Sequence, residues 1–165
     1  MALVIETGSI VPGAESFATA AELAVYAENF GKTIPTEVPQ QEALLRRAAL
    51  QMGSMPWKGR AASRDQALSW PRYDACRNGW VLPSDTIPTQ IKAGQLALAA
   101  EIHSDDLAPP ESKKGAVVRN RVEGAVDVQY APATASVARP AAIRQSDAQF
   151  VGLRESSSQI KMVRG

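Results

Sequence analysis

Apolar positions recur at helical spacing in three stretches of the first two thirds of the chain. Positions three or four apart lie on the same side of an α-helix, so each stretch favours an amphipathic helix with one apolar face. The pattern predicts helices over residues 20–30 and 87–103, and between them a helix that starts near Thr36 or Val38 and runs to Met52. The positions that share these faces are Leu23, Ala27 and Phe30 in the first helix, Leu44, Leu45, Ala48, Ala49, Met52 and Met55 in the second, and Ile87, Ile91, Leu98 and Ile102 in the third.

Polar residues mark where two of these helices begin. Thr19 and Glu22 have the spacing of a capping box, in which each side chain accepts the backbone N–H of the other residue. Thr86 is the predicted N-cap of the third helix, with Pro88 in its first turn. Gly94 lies inside that helix, where glycine costs ~1 kcal/mol relative to alanine. It indicates a close helix contact at that point, although an accident of sequence explains it equally well.

A long segment between the second and third helices, residues 56–86, lacks helical periodicity. It contains all three tryptophans, Trp57, Trp70 and Trp80, and an Asn-Gly turn. Loops of this length are usually functional or are held down by their own side chains. We therefore expect the aromatic side chains to pin an otherwise irregular loop, with a short helical turn around residues 63–68.

The pattern changes to alternation after the third helix. Residues 116–131 alternate between apolar and polar positions around a Glu-Gly turn signal, which predicts an amphipathic β-hairpin. Val126 and Tyr130 share one of its faces. A two-stranded hairpin is marginally stable by itself in water, so this one requires a surface to lie on.

The last stretch, residues 132–165, is rich in Ala, Ser, Arg and Pro and weak in periodicity. Such a segment does not bury enough apolar area by itself to offset the entropy lost when its backbone is ordered. We therefore expect partner subunits to order it. The predicted fold class is mainly α: a small helical bundle with a long aromatic loop over 1–115, a C-terminal β-hairpin over 116–131, and an extended C-terminal tail over 132–165.

Composition gives a further reason to expect partners. Hydrophobic residues make up 45% of the chain but aromatic residues only 5%, and alanine supplies much of the apolar count. An alanine-rich core buries little area per residue, so a single subunit has modest stability. The 18 basic and 17 acidic residues argue against binding nucleic acid through bulk charge. One local basic cluster remains, formed by Lys113, Lys114, Arg119 and Arg121.

The residue types offer little for enzyme chemistry. Cys76 and His103 form the only conceivable nucleophile–base pair, and an inert thiol with a surface histidine is the better interpretation. Asp105 and Asp106 lack further ligands at metal-binding spacing, which is typical of a solvated helix end. With no glycine-rich phosphate loop either, we predict that the protein is not an enzyme and holds no cofactor or metal. No stretch reaches the ~20 apolar residues that span a bilayer.

Short motifs follow one another in a fixed order over residues 1–131. Their positions are Gly8, Pro12, Gly13, Ser16, Thr19, Glu22 and Tyr26 at the start, Trp57, Gly59, Arg60, Gln66, Leu68, Trp70, Pro71 and Arg72 in the loop, Ile87, Pro88, Ile91, Ala93 and Leu96 to Ala100 in the third helix, and Gly124, Val126, Val128 and Tyr130 in the hairpin. In this order they resemble the head–tail connector (adaptor) proteins of tailed bacteriophages. That group is also labelled DnaT-like single-stranded-DNA-binding proteins.

The resemblance implies a small helical subunit that assembles with its own copies into a ring of roughly twelve. The ring lies beneath the portal protein and continues the channel for double-stranded DNA towards a downstream tail or stopper protein. Its place is the neck of the virion, after assembly in the host cytoplasm and without a membrane. The alternative is a DnaT-like replication protein that binds single-stranded DNA. A third possibility is a small helical scaffold of host origin, which would lack an ordered tail.

These hypotheses assign roles to named side chains. Transit of DNA through a channel requires weak, sequence-blind contacts with phosphates, which suits the basic cluster, although a solvated strand edge also explains it. Under the alternative, tryptophans interleaved with arginines stack on DNA bases, but aromatic residues this sparse more often form a core. The predicted structural anchors or subunit contacts are Trp57, Trp70, Pro71, Arg72, Trp80, Tyr130 and Phe150, and the predicted DNA-channel contacts are Lys113, Lys114, Arg119 and Arg121.

Overall fold

α-Helices make up most of the regular structure among the residues that are described. They are α1 (Ala20–Asn29), α2 (Val38–Gly53), α3 (Thr89–Leu107) and α4 (Gln145–Phe150). α3 packs against each of the other three helices and is the centre of the bundle. The computed structural model describes residues 3–107, 117–122, 126–130 and 144–155, and for the two middle segments only the backbone. The mainly α class expected from the sequence is confirmed.

The core lies where the apolar faces of α1, α2 and α3 meet. Leu23, Leu45 and Ile91, one from each helix, are fully buried there. Phe30 was predicted on the buried face of the first helix, but its side chain is 53% exposed. It is the residue at which α1 ends, and its ring stacks on Tyr26 instead of entering the core.

The N-terminus of α1 has the predicted capping box. The Thr19 hydroxyl accepts the N–H of Glu22 at 3.2 Å, and a carboxylate oxygen of Glu22 accepts the N–H of Thr19 at 2.8 Å. Partial burial tends to raise the pKa of Glu22, but the Thr19 bonds and the Lys92 ammonium lower it overall. α2 starts at Val38 and carries Pro39 in its first turn, where the missing N–H of proline costs nothing.

The third helix starts later than the sequence predicted. α3 begins after Pro88, whose carbonyl oxygen accepts the N–H of Ile91 at 2.9 Å, so Thr86 is not its N-cap. A residue that precedes proline is disfavoured in the helical conformation, which keeps Ile87 outside the helix. The prediction was wrong because it placed Pro88 inside the first turn rather than at the boundary.

Two buried polar side chains organise the N-terminal segment, and one of them, Gln95, fixes it to the bundle. Gln95 of α3 accepts the N–H of Phe17 at 2.8 Å and donates to the Ser16 hydroxyl and the Leu45 carbonyl, each at 3.0 Å. It thereby joins α3, α2 and the segment before α1. The buried carboxylate of Glu6 accepts three backbone N–H groups from the turn that follows it. Because each group is satisfied, its burial is compatible with a stable core.

Short strands organise the loop between α2 and α3. They are β1 (Arg60–Ala61), β2 (Arg72–Tyr73), β3 (Cys76–Arg77) and β4 (Trp80–Val81). β1 pairs antiparallel with β2, and β3 with β4. The helical turn predicted around residues 63–68 is not formed, and residues 64–65 make a tight turn there instead. The Gln66 amide stabilises that turn, since it accepts the N–H of Ser63 at 2.9 Å and donates to the Leu68 carbonyl at 2.7 Å.

A separate unit of the chain contains the predicted C-terminal hairpin. Its strands are β5 (Val117–Val122) and β6 (Val126–Tyr130). They pair antiparallel, with Asn120 opposite Val128, and the register is irregular near the start of β5. The hairpin is confirmed at the level of its backbone. The Glu-Gly turn predicted at residues 123–124 lies outside the described residues.

Residues 144–155 pack on the core of their own subunit. Phe150 and Leu153 are fully buried and belong to the same apolar cluster as the three large helices. The sequence led us to expect that partner subunits order the tail over 132–165. Within residues 144–155, contacts with the same subunit order the chain instead. The main contact is the packing of the Phe150 ring on α3. The rest of the predicted tail lies outside the described residues.

Polar contacts also hold this segment in place. The N–H and the hydroxyl of Ser146 donate to the two carboxylate oxygens of Glu101 on α3, at 3.1 and 2.6 Å. The Tyr26 hydroxyl of α1 donates to the Gln145 side chain at 3.0 Å. Burial raises the pKa of Tyr26, and the charge of Glu101 adds to that effect. α4 is therefore tied to both α1 and α3.

Gly94 of α3 makes room for the ring of Phe150. A Cβ atom at Gly94 would lie 2.1 Å from Cε1 of Phe150, far inside van der Waals contact. The close approach predicted at this glycine is confirmed, although the neighbour is an aromatic ring rather than the backbone of a long helix. The costly glycine in the helix interior thus has a packing reason.

We expect Gly94→Ala and Phe150→Ala to be strongly coupled. Alone, Gly94→Ala overpacks the site and costs ~1–3 kcal/mol, and Phe150→Ala costs ~3–5 kcal/mol through the cavity it leaves. In the Phe150→Ala background the added methyl group meets no ring, so Gly94→Ala becomes neutral or stabilising by up to ~1 kcal/mol. Urea denaturation of the four proteins measures this cycle. Additive losses would contradict the contact.

Candidate functional site

Two of the three tryptophans in the loop belong to the core. Trp70 is fully buried, and Trp57 nearly so. The two indoles meet edge to face with ring centroids 6.0 Å apart, and Trp57 meets the Phe150 ring in the same way at 5.1 Å. Nε1 of Trp57 donates to the Met52 carbonyl at 2.8 Å, whereas Nε1 of Trp70 has no hydrogen-bond partner among the described residues. These indoles brace the loop and are not accessible to nucleic acid bases.

Arg72 is an internal brace of the same loop. Its guanidinium donates to the carbonyl oxygens of Gly59 at 2.7 Å, Lys58 at 2.8 Å and Ser69 at 3.2 Å. Burial lowers the pKa of Arg72, and the charge of Glu155 opposes that shift. Backbone carbonyls therefore occupy its donors, and Arg72 acts as a structural anchor rather than as a ligand for phosphate.

The third tryptophan lies on an exposed hairpin. We use this name for β3, β4 and the turn between them, residues 76–81. Asn78 and Gly79 have φ values of 52° and 85°, the left-handed conformation of the two-residue turn that best matches strand twist. Trp80 is 78% exposed and Val81 is 69% exposed. The predicted Asn-Gly turn is confirmed, and it presents an indole to solvent on a short, well-defined support.

A second exposed aromatic ring lies on β2 of the same loop. Tyr73 is 41% exposed, and the guanidinium carbon of Arg60 stands 5.0 Å from the centroid of its ring. Arg60 also pairs with Asp74 at 3.2 Å, an exposed ion pair of small energetic weight. Aromatic faces beside arginines suit either a nucleic acid base or an apolar protein surface.

An apolar groove runs along α1, with a volume of about 390 Å³. Val25 is 56% exposed along it, and Phe30 closes one end. The Phe30 ring stacks on Tyr26 with centroids 4.4 Å apart. The remaining residues along this surface, which we call the α1 groove, are Ala21, Glu22, Asn29 and Leu96. Exposed apolar side chains around a concave surface of this size favour binding of another apolar group.

The structure separates the predicted site residues into three groups. Trp57, Trp70, Pro71 and Phe150 are buried and Arg72 is partly buried, so these positions support the fold. Trp80 alone among the predicted anchors with a described side chain is largely exposed. The backbone places Arg119 and Arg121 on β5 and Tyr130 at the end of β6. Lys113 and Lys114 lie outside the described residues.

Sequence reasoning missed the α1 groove and the exposed Tyr73. Val25 lies off the apolar face of α1 defined by Leu23 and Ala27, and an apolar residue on the solvent side of an amphipathic helix is the signal that was available. The exposure of Phe30 depends on where α1 ends, which the pattern of apolar positions leaves open by several residues.

The two acidic residues considered for a metal site each pair with an arginine. Asp105 pairs with Arg144 at 3.0 Å, and Asp106 receives a hydrogen bond from Arg47 at 2.9 Å. The Arg47 guanidinium lowers the pKa of Asp106. Within residues 3–107 and 144–155, no three His, Cys, Asp or Glu side chains come together as a metal site requires. None of the described helices is long and apolar enough to cross a membrane.

Comparison with known proteins identifies a family. A family model described as "Putative DnaT-like ssDNA binding protein" matches residues 1–165, the whole length of the chain. No curated protein matches the sequence, and no solved structure matches the fold. Single-stranded DNA binding is stated here only by the name of the family model. The described geometry offers one accessible tryptophan for it.

We expect the three tryptophans to differ sharply in their effect on stability. Trp70→Ala removes a fully buried indole and should lower the free energy of unfolding by ~3–5 kcal/mol. Trp80→Ala removes an exposed one and should change it by less than ~0.5 kcal/mol. Thermal and urea unfolding of the purified variants measure both values. A loss for Trp80→Ala as large as that for Trp70→Ala would show that the exposed hairpin is part of the core.

Proposed function

The chain belongs to the family described as "Putative DnaT-like ssDNA binding protein", and we propose that it is a structural subunit of a tailed-phage virion. In this role it is a head–tail connector (adaptor). Copies of it form a ring of roughly twelve below the portal protein, in the neck of the particle. The ring extends the channel for double-stranded DNA and joins the head to a tail or stopper protein.

The observation that carries the proposal is the presence of two different apolar surfaces on one folded subunit. The exposed hairpin presents Trp80 and Val81, and the α1 groove presents Val25 and Phe30. A ring is built from head-to-tail contacts, and each such contact requires two unlike patches on the same subunit. Exposed apolar side chains that are grouped on one surface favour contact with another apolar surface.

Three further features support an assembly role. The order of the motifs along residues 1–131 resembles that of connector proteins, and two of the loop tryptophans brace the subunit instead of binding a ligand. The formal charge of +1 suits a channel that must let DNA pass. Under the proposal, Lys113, Lys114, Arg119 and Arg121 supply weak phosphate contacts along that channel.

The second candidate function is single-stranded DNA binding, which the family description and one surface favour. Trp80 and Tyr73 expose aromatic faces, and Arg77 and Arg60 lie next to them. Stacking of bases on aromatic side chains beside arginines binds single strands with little sequence preference. This surface is small, and the chain lacks the basic excess that usually accompanies such binding.

A fluorescence titration separates the two functions. Trp80 is the exposed one of the three tryptophans, so bound bases would quench its emission in particular. If the chain is a connector, we expect little change on adding an oligothymidine strand at low salt. Quenching that reverses as salt rises, and that disappears in Trp80→Phe, would instead establish single-stranded DNA binding.

Electron microscopy of labelled particles tests the connector role directly. We expect gold-labelled antibody against an epitope tag on the chain to mark the neck of phage particles, between head and tail. The untagged chain in otherwise identical particles is the control for stray labelling. Purified particles that lack the chain, or that carry it elsewhere, would rule out the proposed role.

A further inference from the structure

The exposed hairpin is short, has a tight turn at its tip and presents a largely exposed indole. Its tip is a tight Asn78-Gly79 turn, and Trp80 stands directly opposite Arg77 across the two strands. The side chain of Arg77 lies against Gly152, at the end of the segment that follows α4. The N–H of Leu82 donates to the Ala75 carbonyl at 2.8 Å and closes the base of the hairpin. The exposed indole of Trp80 is thus carried by a hydrogen-bonded hairpin.

The α1 groove is an apolar pocket of a size that suits an aromatic side chain. Its floor includes Tyr26 and Leu96, which are buried, and its sides are the exposed Val25 and Phe30. A volume of about 390 Å³ is at the small end of the range for ligand pockets, ~300–1,000 Å³, and is large enough for one aromatic side chain. The ion pair of Glu22 with Lys92, at 3.0 Å, forms a polar rim.

The exposed hairpin and the α1 groove of one subunit are separate surfaces. The groove residue Tyr26 bonds to Gln145 at the start of α4, whereas the hairpin residue Arg77 lies against Gly152 beyond its end. α4 has six residues and is therefore ~9 Å long. No residue of the exposed hairpin lines the groove. Within one subunit, therefore, the exposed hairpin does not occupy the groove.

One charge beside each surface is complementary to the other. The last turn of α1, next to Phe30, carries the exposed Glu28 and no basic residue, and Lys32 follows two residues after Phe30. A helix C-terminus bears a partial negative charge and is stabilised by a nearby cation. Arg77 is the cross-strand neighbour of Trp80 and would bring a cation to this end of the groove.

We propose that Trp80 of one copy inserts into the α1 groove of the next copy, so that the chain binds itself head to tail. This inference rests on the proposed ring and names its subunit contact. One indole buries ~150–250 Å², well below the ~800 Å² per partner of a stable interface. The contact therefore sets the register between neighbours, and further surface and closure of the ring supply the remaining affinity.

Charged substitutions on the two surfaces test this contact in the full-length chain. Trp80→Glu removes the inserting indole and leaves the α1 groove intact. Val25→Glu blocks the α1 groove and leaves the exposed hairpin intact. Each variant alone should lose concentration-dependent self-association by roughly tenfold or more, the effect of losing a central interface tryptophan. Leu50→Glu is a matched control, because Leu50 is also 78% exposed and lies on neither surface. Sedimentation velocity measures association, and circular dichroism melting verifies that each variant is folded.

Mixing the two defective variants gives the sharper result. The intact groove of Trp80→Glu and the intact Trp80 of Val25→Glu form one productive contact, so at high protein concentration we expect a weak one-to-one complex that grows no further. Failure of this complex to form, or self-association of either variant at the level of Leu50→Glu, overturns the contact. The same holds if the unaltered chain stays monomeric at every concentration. None of these outcomes alters the position of the chain in labelled particles, so failure of the contact and failure of the connector role are distinguishable.

Discussion

The ring of Phe150, seated in the space that Gly94 leaves open on α3, anchors a segment that contacts residues of both exposed surfaces. It meets Trp57, which in turn meets Trp70, so one aromatic cluster joins α3, α4 and the long loop. From the start of α4 a hydrogen bond reaches Tyr26 beside the groove, and beyond its end Gly152 lies against the hairpin. Weak docking of this short segment would therefore loosen both surfaces.

Local patterns predicted what depends on local interactions. The capping box at Thr19, the start of α2 and the Asn-Gly turn follow from residue types within a few positions, and the structure confirms each of them. The burial of Phe150 depends on a glycine far away in sequence, and a six-residue helix has too little periodicity to show it. At Gly94 the sequence left a close contact and an accident of sequence equally open, and it could not name a partner.

The candidate site was predictable only in part, for a related reason. Trp57, Trp70 and Trp80 look equivalent in the sequence, yet two are core residues and one is exposed. Burial is decided by the strand pairs that fold the loop, and each of these is only two residues long. With residues 144–155 ordered by their own chain, partners are indicated by the exposed hairpin and the α1 groove instead of by this part of the tail.

Trp80 is central to both candidate functions, and their physical chemistry differs in its response to salt. Stacking on single-stranded DNA accompanies phosphate contacts, which release counterions and weaken steeply as salt rises. Insertion of an indole into an apolar groove buries hydrocarbon surface, which salts such as sulfate strengthen. Only the Arg77 contribution to that contact is screened, over a distance of ~10 Å at 0.1 M salt. Because the chain has nearly equal numbers of acidic and basic residues, long-range charge does little to mask this contrast. The sign of the salt dependence at this one side chain therefore distinguishes a surface for assembly from a surface for nucleic acid.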